Sequence, residues 1–235
     1  MTNFASTDSQ LWDRWRQVAP DSTVGQDIWI DLVTRWSEPH RAYHNLNHLL
    51  QVLQVIDALT DPAVTTSLAL TDESLWQVRA AAWFHDVVYE PAASDNEARS
   101  ADHAARQLLR IGAQEAQIAT VRALIFMTID HHVTDLDPAA VILHDADLSI
   151  LGQSAAQYLD YVNGVREEYS QIADEAFRIG RSTILTGFLN REQIYLGSDA
   201  NRRFEARARI NIQAELAIYS DGDEVGNGND DGDDN

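Results

Sequence analysis

Hydrophobic residues recur along this chain at intervals of three and four, and no segment alternates apolar and polar positions long enough to predict a strand. Leu11, Trp12 and Trp15 fall at helical spacing between Ser9 and Ala19, as do Ile28, Trp29, Leu32, Val33 and Trp36 between Gln26 and Trp36, with Pro20 and Asp21 breaking the two. A clear 3.6-residue period runs through Leu49, Leu50, Val52, Leu53, Val55, Ile56 and Leu59, in a helix that starts near His44 or Asn45. A turn-rich link from Thr60 to Asp72 follows. Residues 80–89 then read Ala-Ala-Ala-Trp-Phe-His-Asp-Val-Val-Tyr and continue the pattern of Leu75, Trp76 and Val78, which predicts a central helix, buried all round and ended by Glu90 and Pro91. Further helices are expected from Ser94 to Arg110, Ala116 to His131, Ala139 to Leu151, within Gln153 to Gly187, and from Asp199 to Tyr219. The pattern implies an all-α fold: one helical domain over 1–219, then an acidic C-terminal segment, 220–235, with too little apolar content to fold and read as a disordered tail.

Composition narrows the chemistry. With 235 residues, 45% of them hydrophobic, the chain suits a single domain with a real core. It has no cysteine, so thiolate nucleophiles, disulfides and cysteine metal sites are excluded, leaving histidine and carboxylate as metal ligands. It has no lysine either: all 17 basic residues are arginine, which excludes Schiff-base chemistry and a P-loop lysine. A net charge of −20 opposes binding to nucleic acid or to anionic membranes. No segment is apolar enough to span a membrane, and residues 1–10 lack the pattern of a signal peptide, so a cytoplasmic location is expected. Association of identical copies stays open.

Within the apolar segment, the adjacent pair His85 and Asp86 needs an explanation. Burying an ionised carboxylate costs several kcal/mol, of order 3 or more, unless it is paired or bound to a metal. Neighbouring helix positions point about 100° apart, so each residue is expected to look outward for its own partners. A divalent metal meets that need, and so does a core histidine beside a capped or ion-paired aspartate. His44 and His48, four apart, share a helix face, where Arg41, Tyr43 and Asn45 crowd an otherwise greasy helix start and suit a pocket wall. Ser94 and Glu97 fit a capping box, which competes with a role for Glu97 as general base. Of Asp145 and Asp147, the second falls between Leu143, Ile150 and Leu151 and is the expected inward one, with Asp145 the more exposed. Arg166, Arg181 and Arg207 are candidate contacts to a substrate anion.

The order His48, then His85-Asp86, then Asp147 resembles the HD superfamily of metal-dependent phosphohydrolases. The stretches around Tyr43–His48, Phe84–Tyr89, Asp95–Glu97 and Asp145–Leu148 look more closely like a bacterial branch of predicted HD phosphohydrolases, and the resemblance spans roughly Trp12 to Tyr219. It implies an HD-type helical bundle in which His48, His85, Asp86 and Asp147 bind one divalent ion (Mn, Co, Ni, Mg, Zn or Fe), acting on a nucleotide or another small phosphate ester or anhydride. Asp86 would orient the water, and arginines would neutralise the remaining charge. His131 and His132 stand where some members carry extra metal ligands, and can instead hold a phosphate or simply pack. Members that cleave the alarmone pyrophosphate carry Glu-Asp shortly after the His-Asp pair; this chain has Tyr89 and Glu90, which speaks against that substrate while leaving Glu90, with Glu97, an acid/base candidate. Two other outcomes fit the same residues: a di-iron oxygenase of the superfamily, or a sensing protein that keeps its metal for structure.

Overall fold

The computed structural model describes residues 6–63, 70–91, 93–134 and 136–224. Among them there is no strand, and the chain is all-α. Ten helices follow in order: α1 Thr7–Trp15, α2 Thr23–Trp36, α3 Leu46–Thr60, α4 Asp72–Phe84, α5 Asn96–Arg110, α6 Glu115–Met127, α7 Pro138–Asp147, α8 Ala155–Glu168, α9 Asp174–Leu189 and α10 Ser198–Glu224. A 3₁₀ turn, Leu148–Gly152, continues α7. Short polar side chains start many of these helices by accepting an amide of the first turn, as Ser22 does from Gly25, Asn45 from Asn47, Thr71 from Ser74 and Ser154 from Gln157.

The helices bury two apolar clusters. The larger joins α1 to α7 around α4, with Trp15 and Trp29 packing edge-on against Trp83 at 5.4 and 5.7 Å between ring centres. The smaller joins the 3₁₀ turn with α8, α9 and α10, and Val55 packs against both. α10 presses against the 3₁₀ turn through Gly152, where a Cβ would come within 2.7 Å of the Phe204 backbone.

Four expectations change. The central helix stops at Phe84, with His85 as its C-cap, so the His-Asp pair stands at a helix end rather than inside a helix. The chain leaves the helix because side chains satisfy its backbone from outside. Arg41 donates to the Asp86 and Val87 carbonyls at 2.8 and 3.2 Å. The Ser100 hydroxyl pairs with both Val88 groups, and Asn96 with both Glu90 groups. Ser94 caps nothing: α5 begins after Asp95, and no side chain makes its cap bond, which removes capping as an account of Glu97. α6 ends at Met127, short of His131, with Thr128 as its C-cap, and His131 itself stands in the left-handed region at φ 52°. α10 runs to Glu224, past the start placed for the acidic tail at Ser220; the rest of that segment, 225–235, lies outside the described residues.

Candidate metal centre

Three helix ends meet where the two apolar clusters adjoin: the start of α3 brings His48, the end of α4 His85 and the end of α7 Asp147. His48 Nε2 and His85 Nε2 lie 3.4 Å apart, and Asp147 Oδ1 lies 3.3 Å from the first and 3.5 Å from the second. A triangle of such sides has its centre about 2.0 Å from each corner, the length of a bond from zinc or a similar ion to nitrogen or carboxylate oxygen. These three residues form a group able to hold a metal ion.

The surroundings fit that role. His85 Nδ1 lies 2.9 Å from the Ala82 carbonyl and donates to it, leaving Nε2 to present its lone pair, the support that metal-binding imidazoles generally have. Burial disfavours charge on His85, yet the carboxylates of Asp86 and Asp147 outweigh it and raise its pKa to about 9. Burial also opposes ionisation of Asp147, but His85 and the bond from His48 hold it well below the usual carboxylate range. Burial pushes His48 down, favouring the neutral form. The site therefore calls for positive charge among its donors.

Asp86 sits beside the triangle, its Oδ2 3.3 Å from His85 Nε2 and 4.0 Å from His44 Nε2. Adjacent residues meet here, against expectation, because the helix has ended between them. On the far side, His131 Nε2 lies 3.6 Å from the second oxygen of Asp147, and burial lowers its pKa to about 4.

The triangle heads a cavity of about 240 Å³ lined by Tyr43, His44, Asp86, Glu97, His131 and Tyr161, among others. The Tyr43 hydroxyl is buried there with no hydrogen-bond partner among the described residues, a polar group placed for a ligand.

Several expected contacts lie elsewhere. The Arg41 side chain is fully buried behind the site, donating to three carbonyls and to Glu38 between the rings of Trp36 and Tyr89. Asn45 caps α3 and bonds the Ala42 carbonyl. Arg166 clasps Asp174 and the Tyr169 and Ile172 carbonyls, and Arg181 binds Glu215 and the Tyr161 hydroxyl. Arg207 is exposed on α10. His132 is exposed as well, while the Glu90 side chain is 66% exposed and pairs with Arg99 outside the cavity. Among the described residues no arginine lines this cavity, and Arg41, Arg166 and Arg181 are held by the partners just named.

The inward and outward aspartates also exchange places. Asp145 is the fully buried one, accepting the Leu196 and Gly197 amides at 2.9 and 2.7 Å and pairing with His144, whereas Asp147 is partly open to the cavity. Periodicity presumed that one face of α7 meets the core and the other meets water; the segment before α10 covers that other face at Asp145 through the Leu196 and Gly197 amides.

One residue that holds the wall of this cavity escaped the sequence reading. Glu168, its side chain fully buried, accepts the Tyr43 and His44 amides and the Tyr89 hydroxyl, each at 2.8 Å, and pairs with His44 Nδ1 at 2.7 Å. It thereby aims His44 Nε2 toward Asp86. α8 reaches this position through Gly164, where a Cβ would lie 3.0 Å from Tyr43 Cβ. The available signal was spacing, since Glu168 continues the stripe Tyr158, Tyr161, Val165 on one face of α8.

No protein-family model matches this chain, and no curated protein matches it.

Proposed function

We propose that this protein is a metal-dependent phosphohydrolase of the HD type, cleaving a phosphate ester or anhydride of a small molecule. The observation that carries the reading is the convergence of His48, His85 and Asp147 donor atoms within 3.5 Å of one another at the head of a cavity, with the Asp86 carboxylate beside them. A divalent ion held by these residues would supply Lewis acidity, acidifying a water and polarising a phosphoryl oxygen.

The chain's own groups account for the remaining steps. In this reading Asp86 takes the proton of the attacking water as its oxygen bonds to phosphorus. His44, held through Nδ1 by Glu168, directs Nε2 toward the same space and delivers a proton to the departing oxygen as its bond to phosphorus breaks. The carboxylate beside Nδ1 favours the protonated ring, and the His44 pKa is raised even though burial opposes it. The Tyr43 hydroxyl offers a hydrogen bond to a phosphoryl oxygen, and Glu97 is a second carboxylate on the cavity wall. With no arginine lining the cavity among the described residues, His44 and the ion balance the substrate's charge in this reading.

The test is phosphate release from nucleotides, sugar phosphates and aryl phosphates by protein loaded with each candidate ion. Activity with at least one substrate, reduced at least 100-fold by Asp86→Ala with metal content retained, is expected. A fully loaded protein that cleaves nothing contradicts the proposal.

One observation favours a second reading, the di-iron oxygenase: Asp147 turns one oxygen to His48 and His85 and the other to His131, as a carboxylate shared between two ions does. Two irons per chain and oxygen consumption would select it.

A further inference from the structure

Beside the metal donors lies a second cavity, of about 380 Å³, between α8 and α9. Its walls are Val165, Tyr169, Ile172, Phe177, Gly180 and Ile184, and its lining is mainly hydrocarbon. His44 and Tyr169 line both this groove and the cavity of the metal donors, so one imidazole forms part of the boundary between them.

The groove's cation is already committed. Arg181 lines it but binds Glu215 through Nε at 2.8 Å and the Tyr161 hydroxyl through a terminal nitrogen at 2.7 Å. Arg166 covers Phe177 with its guanidinium 4.9 Å from the ring centre, and its bonds to the Tyr169 and Ile172 carbonyls fix the loop that forms one rim. The remaining walls offer contact area and few hydrogen bonds.

We propose that this groove receives the organic part of the substrate, and that the substrate is a phosphate ester whose alcohol or phenol carries an apolar body. The inference rests on the phosphohydrolase reading for the position of the phosphate. A sugar or nucleobase would set its donors and acceptors against hydrocarbon and lose hydrogen bonds to water, whereas an alkyl chain or an aromatic ring would lose nothing. A molecule with phosphorus among the donors and an apolar group in the groove passes His44 on the way. The imidazole is thereby set beside the oxygen that joins the two parts.

Gly180 permits a direct test, because a Cβ there meets nothing within 4 Å. Gly180→Leu fills open groove and also improves a position inside α9, so the variant folds. Two phosphonates, whose carbon–phosphorus bond is not hydrolysed, serve as probes for the full-length Mn²⁺-loaded protein by calorimetry: methylphosphonate and 1-naphthylmethylphosphonate. The naphthyl compound is expected to bind about 10- to 100-fold tighter, the gain of burying a large apolar group. In Gly180→Leu that ratio falls toward one.

Equal affinities for the two probes in the parent protein, with both binding, would overturn the groove and leave the phosphate site standing. A naphthyl preference that survives Gly180→Leu would overturn it too. If the parent protein forms a dimer that Gly180→Leu disperses, with no naphthyl preference in either, the groove belongs to a second copy and the inference fails. If neither phosphonate binds the metal-loaded protein, the phosphohydrolase reading fails and takes the inference with it.

Discussion

Replacing Glu168 by glutamine removes one charge and almost no volume. The carboxylate accepts two amides, a tyrosine hydroxyl and the His44 ring, all within 2.8 Å and away from water. Burial alone would raise its pKa; His44 and the two amides reverse that and pull it from 4.5 to about 2. Its folded pKa is depressed, so the stabilisation is fully present above the unfolded value and disappears as the pH falls through the folded one. A displacement of this size corresponds to roughly 3 kcal/mol. The rise on His44 reports the same interaction from the other side and is not added to it. Glutamine is the isostere of the protonated acid, so the difference between parent and Glu168→Gln measures the charge. In urea unfolding at pH 7 the gap should be about 3 kcal/mol, constant down to about pH 5 and about half that near pH 3. A gap below about 1 kcal/mol at pH 7, or one indifferent to acid, would refute the role given to Glu168.

Four further outcomes follow from the same geometry. Arg41→Met should cost about 3–5 kcal/mol in chemical unfolding, because three carbonyls lose a buried donor, and Arg41→Lys should fail to restore it, since one ammonium cannot span them. Gly164→Ala should destabilise by about 1–3 kcal/mol in the same assay, the new methyl meeting Tyr43 Cβ at 3.0 Å and Tyr43 N at 3.3 Å. Leu136 is 61% exposed and holds φ at 48°, so Leu136→Gly should be neutral or raise stability by up to about 1 kcal/mol in a thermal melt; a clear loss would mean the side chain has a role. Saturating metal at about 100 times its Kd should stabilise the parent by about 2.7 kcal/mol, and a chelator should abolish the gain; in His48→Ala the gain should be absent from the start.

The helices could be read from the chain because apolar spacing, capping residues such as Asn45 and Ser154, and the break at Pro20 act locally. His48, His85 and Asp147 were also legible: each is a titratable residue embedded in hydrocarbon, and their order resembles a known ligand pattern. What periodicity could not show was how the segment before α10 covers α7, as it does at Asp145, or where side chains from far along the chain relieve a helix of its backbone bonds, as Arg41 does after His85. The arginines misled for a related reason. Guanidinium groups that count as free charge in the sequence are held by carbonyls and carboxylates in the fold, at Arg41, Arg166 and Arg181 alike. Glu168 was hidden because a carboxylate next to Glu167 on a helix reads as solvated surface until its partners at Tyr43 and His44 are brought to it.

The central claim is that His48, His85 and Asp147 together hold a divalent ion, and equilibrium metal binding by untagged protein tests it most directly. The account predicts close to one Mn²⁺, Zn²⁺ or Fe²⁺ per chain in the parent, and an affinity at least 100-fold weaker in Asp147→Asn, in a variant that otherwise unfolds cooperatively. Equal binding by parent and Asp147→Asn, or none by either after reconstitution, would contradict it.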